Sequence, residues 1–305
     1  MSQELHKLLQ SLTTEQSNEA TEEIDLVDSE SIMKLIHLQD RVAFDAVNSI
    51  IPALSELASD VADRWQSGGR IIYVGAGTSG RLGVLDAAEL PPTYSTDPER
   101  AVGVIAGGKE SVFLSREGAE DKPEDAVNAV KQLDVCGKDS VIGISASFRT
   151  PFAIAGLQEA HSRGALTGYL VCNQPVNPMS WLDHLIVAET GSEAITGSTR
   201  MKAALAQKMM LTMFSTTVMV LSGKVFGNLM VDMKMTSAKL EERATQLVMS
   251  LGDVEYIDAK TALEKSFGNV KTAVVMLRKN IGLAEAEKEL AACSGHLRKV
   301  LETLE

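Results

Sequence analysis

The sequence predicts an α/β protein: a doubly wound parallel sheet with a small helical domain at its C-terminal end. Three observations carry this. Short apolar runs recur between residues 70 and 190, and most are followed by a stretch with helical spacing. These runs are apolar throughout, as expected of parallel strands covered on both faces. Hydrophobic residues are 45% of the 305, yet aromatic residues only 4%, which suits a helix-rich α/β core and disfavours a β-sandwich.

In chain order, residues 1–30 are polar and acidic (TTEQSNEATEEIDLVDSES) and are expected to form an N-terminal arm or extended lead-in, with a partner subunit as one surface it could lie on. Ser31 to Ser67 is helical by the spacing of Val42, Val47, Ile50, Ile51, Leu54, Leu57, Ala58 and Val61, with Pro52 kinking or dividing it. Five strands follow, in RIIYVGAG, AVGVIAGG, SVIGISAS, ALTGYLVCN and HLIVAET, with helices over Arg81–Leu90, Asp125–Leu133 and Pro151–Arg163. A long Met-rich helix is predicted from Glu193 to about Lys224, and a second from about Met230 to Leu251. After Gly252 come short amphipathic helices over Asp253–Leu263, Val270–Lys279, Ala284–Ala292 and Leu297–Leu304. The expected domains are therefore 1–30, 31–251 and 252–305.

Composition excludes several functions. A net charge of −12 opposes binding to nucleic acid or an anionic membrane. Cys136, Cys172 and Cys293 form no C-x-x-C pair and the five histidines are scattered, so neither a metal nor a cofactor is expected. Idle thiols, a charged N-terminus and the lack of an 18-residue uncharged apolar stretch point to a cytoplasmic chain without a membrane span.

Two loops carry the functional signal. Gly75, Gly77 and Gly80 spell G-x-G-x-x-G after the first strand. A dinucleotide site needs an acid at the end of the second strand for the ribose, but that strand ends in Ala106-Gly107-Gly108. What remains is a helix start whose amides, around Thr78, Ser79 and Gly80, favour an anion, with the Thr78 and Ser79 hydroxyls beside them. In the second loop, GISASFRTP, Ser145, Ser147 and Thr150 crowd three hydroxyls before Pro151. Capping by Thr150 would account for one of them.

These loops resemble the sugar isomerase (SIS) domain, in which an S-x-S-x-x-T loop and a serine of the first glycine turn grip the phosphate of a sugar phosphate. Ser145, Ser147, Thr150 and Ser79 stand at those positions; Ala146 and Phe148-Arg149 depart from the residues that often fill the gaps. The resemblance implies a flavodoxin-like SIS fold for residues 31–251. GTSGRLGVLDAAELPPTY, SREGAEDKPEDA and GSEAITGSTRMKAALAQK, in that order, are similar to the N-acetylmuramic acid 6-phosphate etherases and to the related glucokinase regulatory proteins. Ser192 in the third stretch is a minor departure.

The resemblance implies a lyase that removes D-lactate from N-acetylmuramic acid 6-phosphate without a metal, in cell-wall sugar recycling, and a homodimer. It assigns Glu89 as the acid on the departing lactate and Glu120 as the carbon-2 base or its assistant. By spacing alone, Glu89 reads equally as a solvated helix-end carboxylate. Glu120 reads as one of an acidic surface run with Glu117, Asp121 and Glu124. Ten residues of straight helix would put Glu89 about 15 Å from Ser79, so either the turn is irregular or Glu89 serves a site across a subunit boundary. Glu193, Ser198, Arg200 and Lys202 form a candidate site for the phosphate or the lactate carboxylate, or else a cap with a salt bridge. Two rival functions share the phosphate loops: an aldose–ketose isomerase, and a regulator that binds without chemistry.

Overall fold

A computed structural model describes residues 12–175, 179–233, 235 and 237–302. The chain divides into two compact units, one of residues up to Ala88 with Ala101–Ser215, the other of Glu89–Arg100 with Thr216 onward. The boundary expected at 252, where composition changes, is thus not where the chain divides. Gly223 is the left-handed residue that ends the long apolar helix, and the chain after it already belongs to the second unit.

The first unit holds five parallel strands, β1 (Ile71–Gly75), β2 (Ala101–Ile105), β3 (Ser140–Ser145), β4 (Leu166–Val171) and β5 (His184–Val187), in the order β2-β1-β3-β4-β5. Every residue of β1, β3 and β4 is buried, as their unbroken apolar character requires. Helices α1 (Ser29–Ser49), α2 (Ile51–Gln66), α3 (Gly77–Tyr94), α4 (Pro123–Gln132), α5 (Pro151–Ser162) and α6 (Lys202–Leu221) accompany the sheet. Ile72, Val74, Val141, Tyr169 and Val171 pack with Ala126, Val130, Phe152, Ala153, Leu157 and Ala160 of α4 and α5. Tyr73 meets Phe214 of α6 edge to face at 6.5 Å between ring centroids.

Several expectations are corrected. Of the two expectations for Pro52, division holds and kinking does not: the break falls at Ile50, and Pro52 lies in the first turn of α2, where its missing N–H costs nothing. Helix α3 starts earlier than Arg81 and runs past Pro91 and Pro92 to Tyr94. The prolines fall in its last turns and remove only the donors for the Ala87 and Ala88 carbonyls. The long apolar helix begins at Lys202, not Glu193, because Gly197 at φ +74° interrupts the preceding turn. By length and composition it could cross a membrane, but Lys202 and Lys208 interrupt its apolar run and half of that stretch is buried inside the protein.

Residues 12–26 form three short 3-10 helices that are bonded to their own unit. Thr13 Oγ1 donates to Asn173 Oδ1 at 2.8 Å, Thr21 Oγ1 to the Ala194 carbonyl at 2.8 Å, and Asn18 Nδ2 to the Ser192 carbonyl at 3.0 Å. The rest of the expected arm, residues 1–11, is outside the described residues.

In the second unit a hairpin, β6 (Val225–Phe226) with β7 (Leu229–Met230), replaces the expected helix start at Met230, since the turn through Gly227 takes φ +58°. Helix α7 (Ala238–Gly252) is capped by Ser237. Helices α8 (Tyr256–Lys265), α9 (Val270–Lys279), α10 (Leu283–Ala292) and α11 (Leu297–Glu302) follow. The expected end of the last at Leu304, and positions 234 and 236 of the expected second helix, fall outside the described residues. A core of Val248, Leu263, Val274, Leu290, Leu297 and Val300 joins these helices. Lys271 is buried beside Asp232 at 3.0 Å, and burial lowers its pKa.

Candidate active site

The strand order places a topological switch point at β1. The connection through α3 leads to β2 on one side, and the chain then returns to β3 on the other. The crevice beyond the carboxyl ends of β1 and β3 is where such sheets take ligands. Gly75 and Ile144 are register partners, so the β1–α3 and β3–α5 turns are neighbours there.

The glycines of the first turn serve its tightness. A Cβ on Gly80 would sit 2.6 Å from the Gly75 carbonyl oxygen, and Gly77 takes φ +54°. The turn leads directly into α3, whose first amides, including those of Thr78 and Ser79, have no acceptor within the helix. The Gly80 amide is spent differently from expectation, donating to the Ala76 carbonyl at 3.0 Å. Ser79 is buried, and its hydroxyl donates to Gln207 Oε1 of α6 at 2.9 Å.

In the second turn the hydroxyls bond one another. Ser145 Oγ and Thr150 Oγ1 are 2.8 Å apart, and Ser145 Oγ and Ser147 Oγ 3.5 Å. Thr150 occupies the N-cap position of α5, yet its side chain makes no capping bond. Ordinary capping therefore does not explain these hydroxyls. Phe148, between them, is held at φ +66°, a conformation that costs a large side chain energy and persists only where packing enforces it. Packing does so here: Phe148 is buried against Tyr169, ring centroids 5.4 Å apart.

Glu120 lies on a segment bonded to the start of α5. It lines a recess of about 200 Å³ with Gly77 and Arg81 of α3, Ala106 at the end of β2, and Arg116. Its carbonyl accepts from the Phe152 amide at 3.0 Å, which ties its segment to the start of α5 just after Thr150. A larger groove of about 750 Å³ runs along the outer strand β2 and shares Arg116 and Glu117. The smaller recess lies at the carboxyl ends of β1 and β2, and none of Ser79, Ser145, Ser147 and Thr150 lines it. Glu89 is not brought there. Helix α3 is continuous from Gly77 to Tyr94, so Glu89 is ten residues beyond Ser79, about 15 Å along one helix, and is exposed. The alternative of an irregular turn is thereby removed.

The third candidate cluster is turned inward. Glu193 is 0% exposed, and its two carboxylate oxygens accept the Lys202 and Ala203 amides at 2.8 and 2.9 Å, closing the N-terminus of α6. Burial raises its pKa against the pull of those amides. Lys202 is 2% exposed, donates Nζ to Gln39 Oε1 at 2.9 Å, and has its pKa lowered by burial. As placed, Glu193 and Lys202 are buried and organise the helix start. Ser198 is half-buried and Arg200 exposed on the turn before α6.

The chain is 45% identical to the N-acetylmuramic acid 6-phosphate etherase of Lactobacillus gasseri, over 96% of this chain and 99% of that one. It is 43% identical to the enzyme of the same name from Bacillus subtilis, over 96% and 97%. This chain belongs to the N-acetylmuramic acid 6-phosphate etherase family. The glucokinase regulatory protein N-terminal SIS domain matches residues 49–161, which includes both hydroxyl turns and Glu120. Among solved structures, a phosphoheptose isomerase from Francisella tularensis aligns at TM-score 0.44 and 14% identity, covering 62% of this chain and 96% of that one.

Sequence reasoning missed Gln207, Arg81 and Arg116. No local pattern marks Gln207, a polar residue in an apolar helix whose partner is 128 residues away. The two arginines line one recess only because the chain after β2 folds back over the start of α3, where Arg81 Nε donates to the Val112 carbonyl.

Proposed function

We infer that this protein cleaves the D-lactyl ether of N-acetylmuramic acid 6-phosphate. It gives N-acetylglucosamine 6-phosphate and D-lactate, as a carbon–oxygen lyase of cell-wall sugar recycling. The single observation that carries the site is the Ser145–Thr150 hydroxyl pair, 2.8 Å apart and free of helix capping, beside the amides that open α3. In this reading Thr78, Ser79, Ser147 and Thr150, with the open amides of α3, hold the phosphate.

The chemistry follows from the open-chain sugar. Its aldehyde acidifies the carbon-2 proton. Glu120 removes that proton or assists its removal, the carbon-3–oxygen bond breaks, and the lactate oxygen takes a proton from Glu89. The resulting unsaturated aldehyde accepts water at carbon 3, activated by the same Glu89 as base, and a proton returns to carbon 2. Each acid–base group contributes about 10²–10⁴-fold. Glu89 reaches the site from a second copy of the chain, in a homodimer. Exposed apolar side chains on α1 (Met33, Leu38, Phe44) and the exposed Phe113 and Leu114 support such an association. A cytoplasmic location agrees with three unpaired cysteines.

Incubation with N-acetylmuramic acid 6-phosphate in ¹⁸O-water tests the reaction: D-lactate is released and carbon 3 of the product sugar carries the label. No lactate from folded protein refutes the function, and unlabelled product refutes elimination followed by hydration. Mixing Glu89→Ala with Ser147→Ala subunits tests the shared site. Recovered activity in mixed dimers is the expected result, and none contradicts it.

A further inference from the structure

Gln207 stands out from the polar residues of α6. It is 1% exposed, its Oε1 accepts the Ser79 hydroxyl at 2.9 Å, and its Nε2 is buried with no partner among the described residues. Buried amide nitrogens are rarely left unpaired. A second polar rung fixes the same pair of helices, since Asp86 of α3 accepts from Ser215 of α6 at 3.1 Å and from Tyr73 Oη at 2.7 Å. Gln207 is therefore held opposite Ser79 by rigid elements.

The direction of the Ser79 bond matters. A hydroxyl has one proton, and while it donates to Gln207 it has none for an anion. A half-turn of the Gln207 amide exchanges its two ends. Nε2 then donates to Ser79 Oγ, and the Ser79 proton is free to point into the turn where α3 begins. The nitrogen acquires its acceptor in the same motion, and Oε1 takes the position that lacked a partner.

We propose that Gln207 is a positioning residue of the phosphate site, whose amide reverses on binding so that Ser79 donates its proton to a phosphoryl oxygen. This rests on the reading of Ser79 as a phosphate ligand.

The test is a double-mutant cycle between Gln207→Met and Ser79→Ala, read as the affinity for N-acetylglucosamine 6-phosphate and as the KM and kcat of the lyase reaction. One lost hydrogen bond to a charged group corresponds to roughly 10- to 100-fold in affinity. Each single substitution is expected to weaken binding and raise KM by that order, with kcat changed less than about threefold, and the double variant is expected to be no weaker than the weaker single. Losses that multiply overturn the proposal, because Gln207 then acts independently of Ser79. So does a Gln207→Met protein with a lower melting temperature but unchanged affinity, which marks a purely structural residue. Unchanged affinity in Ser79→Ala overturns the phosphate reading itself and is distinguished by that single variant. Should Gln207→Met fail to fold, Gln207→Glu replaces it. An ionised carboxylate can accept from Ser79 but cannot donate, so a loss at least as large is expected, and wild-type affinity contradicts the proposal.

Discussion

Two segments of this chain look alike in sequence and behave oppositely in structure. Residues 145–150 and residues 193–202 both bring hydroxyls and charge to the start of a helix. In the first, Ser145 and Thr150 bond each other and leave the helix start uncapped by side chains. In the second, Glu193 spends both carboxylate oxygens on backbone amides and Lys202 turns inward to Gln39. Polar residues at a helix start suggest a site only where their atoms are not already consumed by the backbone.

The sharpest way to separate the two segments is to remove one glutamate from each side. Glu120→Gln, at the recess beside the hydroxyl turns, should lower kcat by about 10²–10⁴-fold while urea unfolding changes by less than about 0.5 kcal/mol. Equal kcat would place Glu120 on the surface run. Glu193→Ala should do the reverse, costing about 3–5 kcal/mol of unfolding free energy by stranding buried Lys202 and two amides. A stable Glu193→Ala protein with greatly weakened phosphosugar binding would return this segment to the site.

A smaller effect concerns the base of the sheet, away from either segment. Asp139 is buried, which opposes its ionisation, but Arg70 at 2.7 Å and the Cys136 and Arg70 amides outweigh burial and lower its pKa below the ordinary 3.8. A lowered carboxylate pKa stabilises the folded state at pH above the unfolded value, and that contribution is lost as pH falls through the folded value. Asp139→Asn should cost about 2 kcal/mol at pH 7 and less below pH ~3, by urea titration at both. A cost independent of pH would show that packing, not charge, is lost.

What could be read from the sequence follows the range of the forces. The five strands and the β1 and β3 turns were legible, because apolar runs, glycines and clustered hydroxyls are local signals. The start of α6 was not: Ser198 and Thr199 look like caps, whereas the capping carboxylate comes from Glu193, nine residues before the helix. The distance of Glu89 from the turns was legible as helical rise, and the continuous α3 settles which of two geometries holds. The Ser79–Gln207 bond and the recess shared by Arg81 and Arg116 were invisible, since only the tertiary fold brings Gln207 and Arg116 to the start of α3.

The central claim is that the β3–α5 hydroxyls grip a phosphate, and calorimetric titration of Ser147→Ala tests it most directly. N-acetylglucosamine 6-phosphate should bind this variant roughly 10- to 100-fold more weakly than it binds the unaltered protein, while the unphosphorylated sugar binds both equally. Equal affinity of the two proteins for the phosphosugar would contradict the account.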